Sequence, residues 1–151
     1  MTTPALHFPN EVRHLLLEAG WYAGRTINTD AYAQQLTDAG YNWSEAVEEF
    51  MREFGGLHLQ FLRHDGSMAS LQLEPLVALQ YQQPAQETFY RANLRIPTIC
   101  LIGQAYMEHL ILLMDQAGRV YGSFDEMLYL VGNTGADAIQ AICLDLPFRE
   151  L

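Results

Sequence analysis

The sequence predicts an α+β domain: N-terminal helices, a central and mostly antiparallel sheet, then C-terminal helices. Two observations carry this. Apolar residues recur at helical spacing up to Gly55-Gly56 and alternate with polar ones from Leu57 onward. The segments that read as strands then follow one another through short turns rather than alternating with helices, which argues against βαβ units. A length of 151 residues fits a single domain, with a core expected over about 10–144. Such a chain buries a core without metal or disulfide support.

The first helix has Asn10 as its expected cap and a stripe of Val12, Leu15, Leu16 and Ala19, with Gly20 as its stop. Asn28 is the expected cap of the second, whose apolar positions are Tyr32, Leu36 and Ala39 before Gly40. Asn42 with Glu45 reads as a capping box for the third. Its stripe is Trp43, Ala46, Val47, Phe50 and Phe54, and Gly55-Gly56 ends it. Leu57–Leu62 and Met68–Leu73 alternate as strands around an Asp65-Gly66 turn. Pro75 and Pro84 bracket a connection, and Gln86 to Leu94 reads as a short helix stopped by Pro97. Ile99–Ile102 and His109–Met114 are apolar runs expected as central strands. Asp115 to Gly118 is a turn, and Arg119–Tyr121 is the returning strand. Phe124, Met127, Leu128 and Val131 share helical spacing and predict a helix closed by Gly132. Thr134 with Asp137 caps a last helix carrying Ala138, Ile139, Ile142 and Cys143, and 144–151 is expected to be loose. Gly20, Gly56 and Gly118 are expected at positive φ or in close approach to a neighbour.

The net charge is −10, and all eight basic residues are Arg. That balance argues against binding nucleic acid, whose phosphates require basic side chains. It also disfavours an anionic membrane surface and favours a basic partner. The N-terminus has no basic segment followed by an apolar one, and no apolar run is long enough to span a bilayer. Cys100 and Cys143 lie far apart among apolar neighbours, as buried thiols in a reducing compartment do. A cytoplasmic location is expected.

No catalytic constellation is visible. His58 and His64 flank a hairpin without a Cys or carboxylate at ligand spacing, so a surface or edge position is expected and no metal or cofactor is implied. His109, beside Glu108, is expected at a strand end rather than in acid–base work. Ser67, Ser70 and Ser123 lack a nucleophile-elbow context, and Gly118 to Gly122 lacks the spacing of a phosphate loop. Glu45, Glu48 and Glu49 share one helix face, with Glu53 one turn on; like charges so placed sometimes mark a partner surface. A solvated helix face explains the same residues. Asp125 and Glu126 form a second acidic patch, expected in the first turn of a helix, where the dipole alone accounts for them.

Several phrases recur in a fixed order: Leu17-Glu-Ala-Gly-Trp21 with Gly24-Arg25, Phe54-Gly-Gly-Leu57, Ile102-Gly103, Asp115-Gln-Ala-Gly-Arg-Val-Tyr-Gly122, and Leu130-Val-Gly132 before Asn133-Thr134. Together they resemble the SUKH superfamily, and especially its third immunity-protein subgroup, from about Val12 to Cys143. Gln104-Ala-Tyr-Met107 departs from the small and polar residues of that group. The resemblance implies a helix-flanked sheet and a non-enzymatic protein that binds a cognate toxin, and the acid excess suits a basic one such as a nuclease. It carries over no catalytic or contact residue. Two other readings stay open: a regulatory or scaffold module of the same superfamily, and a small enzyme or ligand-binding domain with an unrecognised site.

Overall fold

The structure is a computed structural model that describes residues 8–80, 98–106, 110–124 and 127–151. Three helices come first: α1 (Asn10–Glu18), α2 (Asp30–Asp38) and α3 (Glu45–Phe54). Strands β1 (His58–Leu62) and β2 (Met68–Gln72) follow, then the short helix α4 (Pro75–Ala78). Next come β3 (Ile99–Ala105), β4 (Leu110–Asp115), β5 (Val120–Phe124) and β6 (Met127–Gly132). Helix α5 (Gly135–Cys143) and the two-residue β7 (Arg149–Glu150) end the chain. The described fold is α+β.

All described strand pairs are antiparallel, and the strands lie side by side in chain order from β1 to β7. Helix α1 packs on β1, α3 on β3 and β4, and α5 on β2 and β6. Helix α1 also touches α5, and Gly135 of α5 abuts the Phe50 ring of α3, so the three helices form one layer. The register turns Leu59, Phe61, Ala69 and Leu71 toward that layer, and all four are buried. His58, Gln60, Leu62, Met68, Ser70 and Gln72 turn the other way and are exposed or half-buried. Strands β3 and β4 are buried along their whole length, as expected for the centre of the sheet. Each fully buried Leu there, such as Leu101 and Leu113, contributes roughly 1.5–3 kcal/mol through burial.

The helix joints follow from local chemistry. At the end of α1 the Gly20 amide donates to the Leu17 carbonyl and the Trp21 amide to that of Leu16, at 3.2 and 2.9 Å. This closure needs a left-handed residue, and Gly20 has φ +106°. Gly56 and Gly118 are also left-handed, at +81° and +88°. Gly103 has a different reason. A Cβ there would collide with the Gln72 carbonyl oxygen and stand 3.1 Å from the Leu73 Cα.

Four expectations need correction. Residues 127–132 are strand β6, paired with β5, and not a helix. Their helical spacing misleads because Leu128 and Val131 are buried while Tyr129 and Leu130 are half-buried, so both faces carry apolar residues and no alternation shows. Only one helix, α5, therefore stands in the C-terminal part of the described chain. The cap of α3 lies two residues later than expected and is not a capping box: Ser44, not Asn42, is the cap, its hydroxyl accepts from the Val47 amide, and Val47 has no side-chain acceptor to return the bond. Neither expected asparagine is an N-cap: Asn10 is the first helical residue of α1, following Pro9, and Asn28 stands one residue before Thr29, the N-cap of α2, with its Oδ1 accepting from the Asp30 amide. Finally, the stretch 144–151 is not wholly loose, because Arg149 and Glu150 pair with Leu130 and Tyr129. The helix expected over 86–94 and the position of His109 lie outside the described residues. No described helix is long and apolar enough to cross a membrane.

Candidate interaction surface

The residues that carry the sequence phrases hold one another. Trp21 Nε1 donates to Glu53 Oε2 at 2.9 Å. The Arg25 guanidinium donates to the carbonyls of Glu53 and Gly55, and the Ile27 amide donates to the Arg52 carbonyl. The segment after α1 is thereby clamped on the C-terminus of α3, where unpaired carbonyls favour a cation. The Trp21 ring stacks on Phe54 at 6.4 Å, and Phe8 meets both rings edge-on. Asp115 does similar work in the second long phrase. It is 2% exposed, its Oδ1 accepts from the Ala117 and Arg119 amides, and its Oδ2 accepts from the Tyr121 hydroxyl at 2.9 Å. Burial and then the Asp115 carboxylate push the Tyr121 hydroxyl up to about 12, which keeps it a donor.

The acidic face of α3 divides by role. Glu45 and Glu49 are exposed. Glu48 is not free: its carboxylate accepts from Thr29 Oγ1 at 2.7 and 2.8 Å, from Trp43 Nε1 at 2.9 Å and from Arg52 Nη2 at 3.2 Å. It joins the loop before α2 to the start of α3, and Thr29 beneath it is 4% exposed. Burial alone would raise the Glu48 carboxyl, but the hydrogen bonds from Thr29, Arg52 and Trp43 outweigh it and hold the group below its ordinary 4.5. A depressed carboxylate contributes stability above 4.5 and loses it as the pH falls through the lower folded value. Glu48→Gln should therefore cost about 1–2 kcal/mol at neutral pH, the scale of lost hydrogen bonds to a charge. It should also flatten the acid limb of stability. Denaturant titration from neutral pH to about pH 3 checks this; parallel losses in parent and variant would exclude the assignment. Asp125 and Glu126 lie outside the described residues.

Sequence reasoning missed one cluster entirely. Arg63 donates through Nε and Nη2 to Asp145 Oδ1 at 3.2 and 3.1 Å, and the His64 amide donates to Asp145 Oδ2 at 3.0 Å. The Arg63 guanidinium lies 4.5 Å over the Tyr106 ring. Tyr106 and Asp145 are the described non-glycine residues in the left-handed region, at φ +54° and +52°. The Arg63 hydrogen bond, and then the His64 amide, hold the Asp145 carboxyl low; burial raises the Tyr106 hydroxyl. Partners so distant in the chain leave no local signal.

No described residue is arranged as a reactive centre. Cys143 is buried, and that burial pushes its thiol up to about 12. His58 and His64 are exposed on β1 and the turn after it, and no described group of three His, Cys, Asp or Glu residues is placed to hold a metal.

Neither a curated protein nor a solved structure matches the chain. The sequence profile described as SUKH-3 immunity protein matches residues 8–145. That span covers the clamp at Trp21 and Arg25, the tight approach at Gly103 and the Asp115 turn, and the chain belongs to the SUKH-3 immunity protein family.

Proposed function

We propose that this protein is a cytoplasmic immunity protein. It binds a cognate bacterial toxin through a preformed surface, covers the toxin's active site and performs no chemistry of its own. The observation that carries this reading is the family profile spanning residues 8–145. The internal use of Trp21, Arg25, Gly103 and Asp115 supports it: these residues build the frame and leave the exposed surface to a partner. Co-expression with the toxic domain encoded by the adjacent gene tests it. Restored growth is the expected result; continued killing, with both proteins made and folded, would overturn it.

The net charge of −10 suits a basic toxin such as a nuclease. In this reading the exposed Glu45 and Glu49, with Asp125 and Glu126, attract it during encounter. The double change Glu45→Lys and Glu49→Lys should slow association several-fold at low salt and reduce its salt dependence, with little change in dissociation. Glu48 is left intact because its replacement would disturb Thr29 and Trp43. Stopped-flow mixing with the toxic domain measures both rates. Identical association rates for parent and variant across the salt series would remove these glutamates from the encounter surface.

A further inference from the structure

Among the described residues, nothing pairs with the outer side of the first strand. The Arg63 amide donates to the Ser67 carbonyl at 2.8 Å, and the Leu73 amide donates to the Leu57 carbonyl at 2.9 Å. Antiparallel pairing alternates, so Leu59, Phe61 and Arg63 direct their N–H and C=O groups toward β2, as Leu57 does its carbonyl while its amide turns back to Phe54. His58, Gln60 and Leu62 direct theirs outward, and no described strand pairs with them. Natural edges are usually blunted by a proline, a lysine, a bulge or a very short strand. Strand β7, at the other edge, has two residues, both charged. Strand β1, His-Leu-Gln-Phe-Leu, has none of these protections.

Beside this edge lies a groove of about 260 Å³ between α1 and β1, lined by Leu15, Glu18, Ala19, His58, Leu59 and Gln60. Its lining is more polar than apolar, with Leu15 and Ala19 half-buried along α1 and Leu59 buried at its floor. Glu18 stands among them with 64% of its side chain exposed and its Oε1 3.0 Å from His14 Nε2, which leaves Oε2 to an incoming cation.

We propose that the outer edge of β1 receives an extended basic segment of the toxin as an added strand. The proposal rests on the immunity reading. The segment's backbone bonds to the outward groups of His58, Gln60 and Leu62. A Lys or Arg side chain lies in the groove, its stem against Leu15 and Ala19 and its charge at Glu18. Charge selects this occupant over a second copy of the chain. Two protomers of charge −10 repel, whereas a basic segment is attracted to the same field.

The experiment uses the full chain and the toxic domain encoded by the adjacent gene. Gln60→Pro removes one outward N–H and sets a ring in the path of the incoming strand. Proline is tolerated at edge positions whose N–H faces solvent. Affinity by calorimetry should fall at least about tenfold, the scale of losing a backbone hydrogen bond and its neighbours. Gln60→Val keeps the backbone and should bind as the parent does. Hydrogen exchange on the unaltered chain should show the Gln60 and Leu62 amides protected only when the toxin is bound, a readout that does not depend on the Pro variant folding. Toxin bound with both amides still exchanging freely would overturn the edge assignment and leave the immunity reading standing. No binding by the unaltered chain would overturn both. Protection of the same amides in the isolated chain, with a dimer on sedimentation, would assign the edge to a second copy instead.

Discussion

Gly103→Ala should lower the stability of the domain by about 3 kcal/mol, the upper range of overpacking in a filled core. A loss of this size moves the thermal midpoint by about 10 °C in a chain of this length. The cause is contact and not backbone freedom, since Gly103 is not among the left-handed glycines. The added methyl would overlap the Gln72 carbonyl oxygen and crowd the Leu73 Cα. Both are main-chain atoms and cannot rotate aside. Gly66→Ala is the natural comparison. Gly66 is left-handed at φ +87° but has open space around the missing Cβ. It should cost only about 1 kcal/mol of backbone strain. Equal midpoints for the two variants would show that β2 and β3 can part at little cost.

Asp115→Ala should cost about 3 kcal/mol, since it leaves three donors without their acceptor at a site only 2% exposed. Urea denaturation measures the loss. Asp115→Asn keeps an oxygen for the Ala117 and Arg119 amides and should recover part of it. Tyr121→Phe removes one bond of the three and should cost about 1 kcal/mol. In combination with Asp115→Ala it should cost less than on its own, because the hydroxyl has already lost its acceptor. Strict additivity would mean that the hydroxyl contributes to the turn in some other way.

The legible parts of the fold are those written in local chemistry. The stripes of α1 and α3, the switch of period at Gly55-Gly56 and the Thr134 cap of α5 all depend on residues within one or two turns of each other. Strand β6 was not legible because apolar residues on both faces produce a spacing that a helix also fits. Strand β3 runs on to Ala105, past the expected end at Ile102, because Gln104 sits buried in mid-sheet with its amide donating to Gln72. The surface was legible only as charge. Nothing in the run Glu45 to Glu49 distinguishes Glu48, which is used internally, from its exposed neighbours; Thr29, Trp43 and Arg52 do so in three dimensions. Arg63 and Asp145 are likewise separated by most of the sheet and the whole of α5.

The order of the strands also bears on how quickly protection becomes available after synthesis. Each strand from β3 to β6 has its partner next in the chain, across only a few residues. Such pairings close small loops and lose little chain entropy, so they form early. The β2–β3 pairing spans a longer connection, but loop entropy grows only slowly with length. The hairpin of β1 and β2 closes an equally short turn of its own and joins the rest across that one longer connection. The outward edge of the sheet is carried by this local hairpin, so the surface proposed to receive the toxin takes shape from residues close together in the chain.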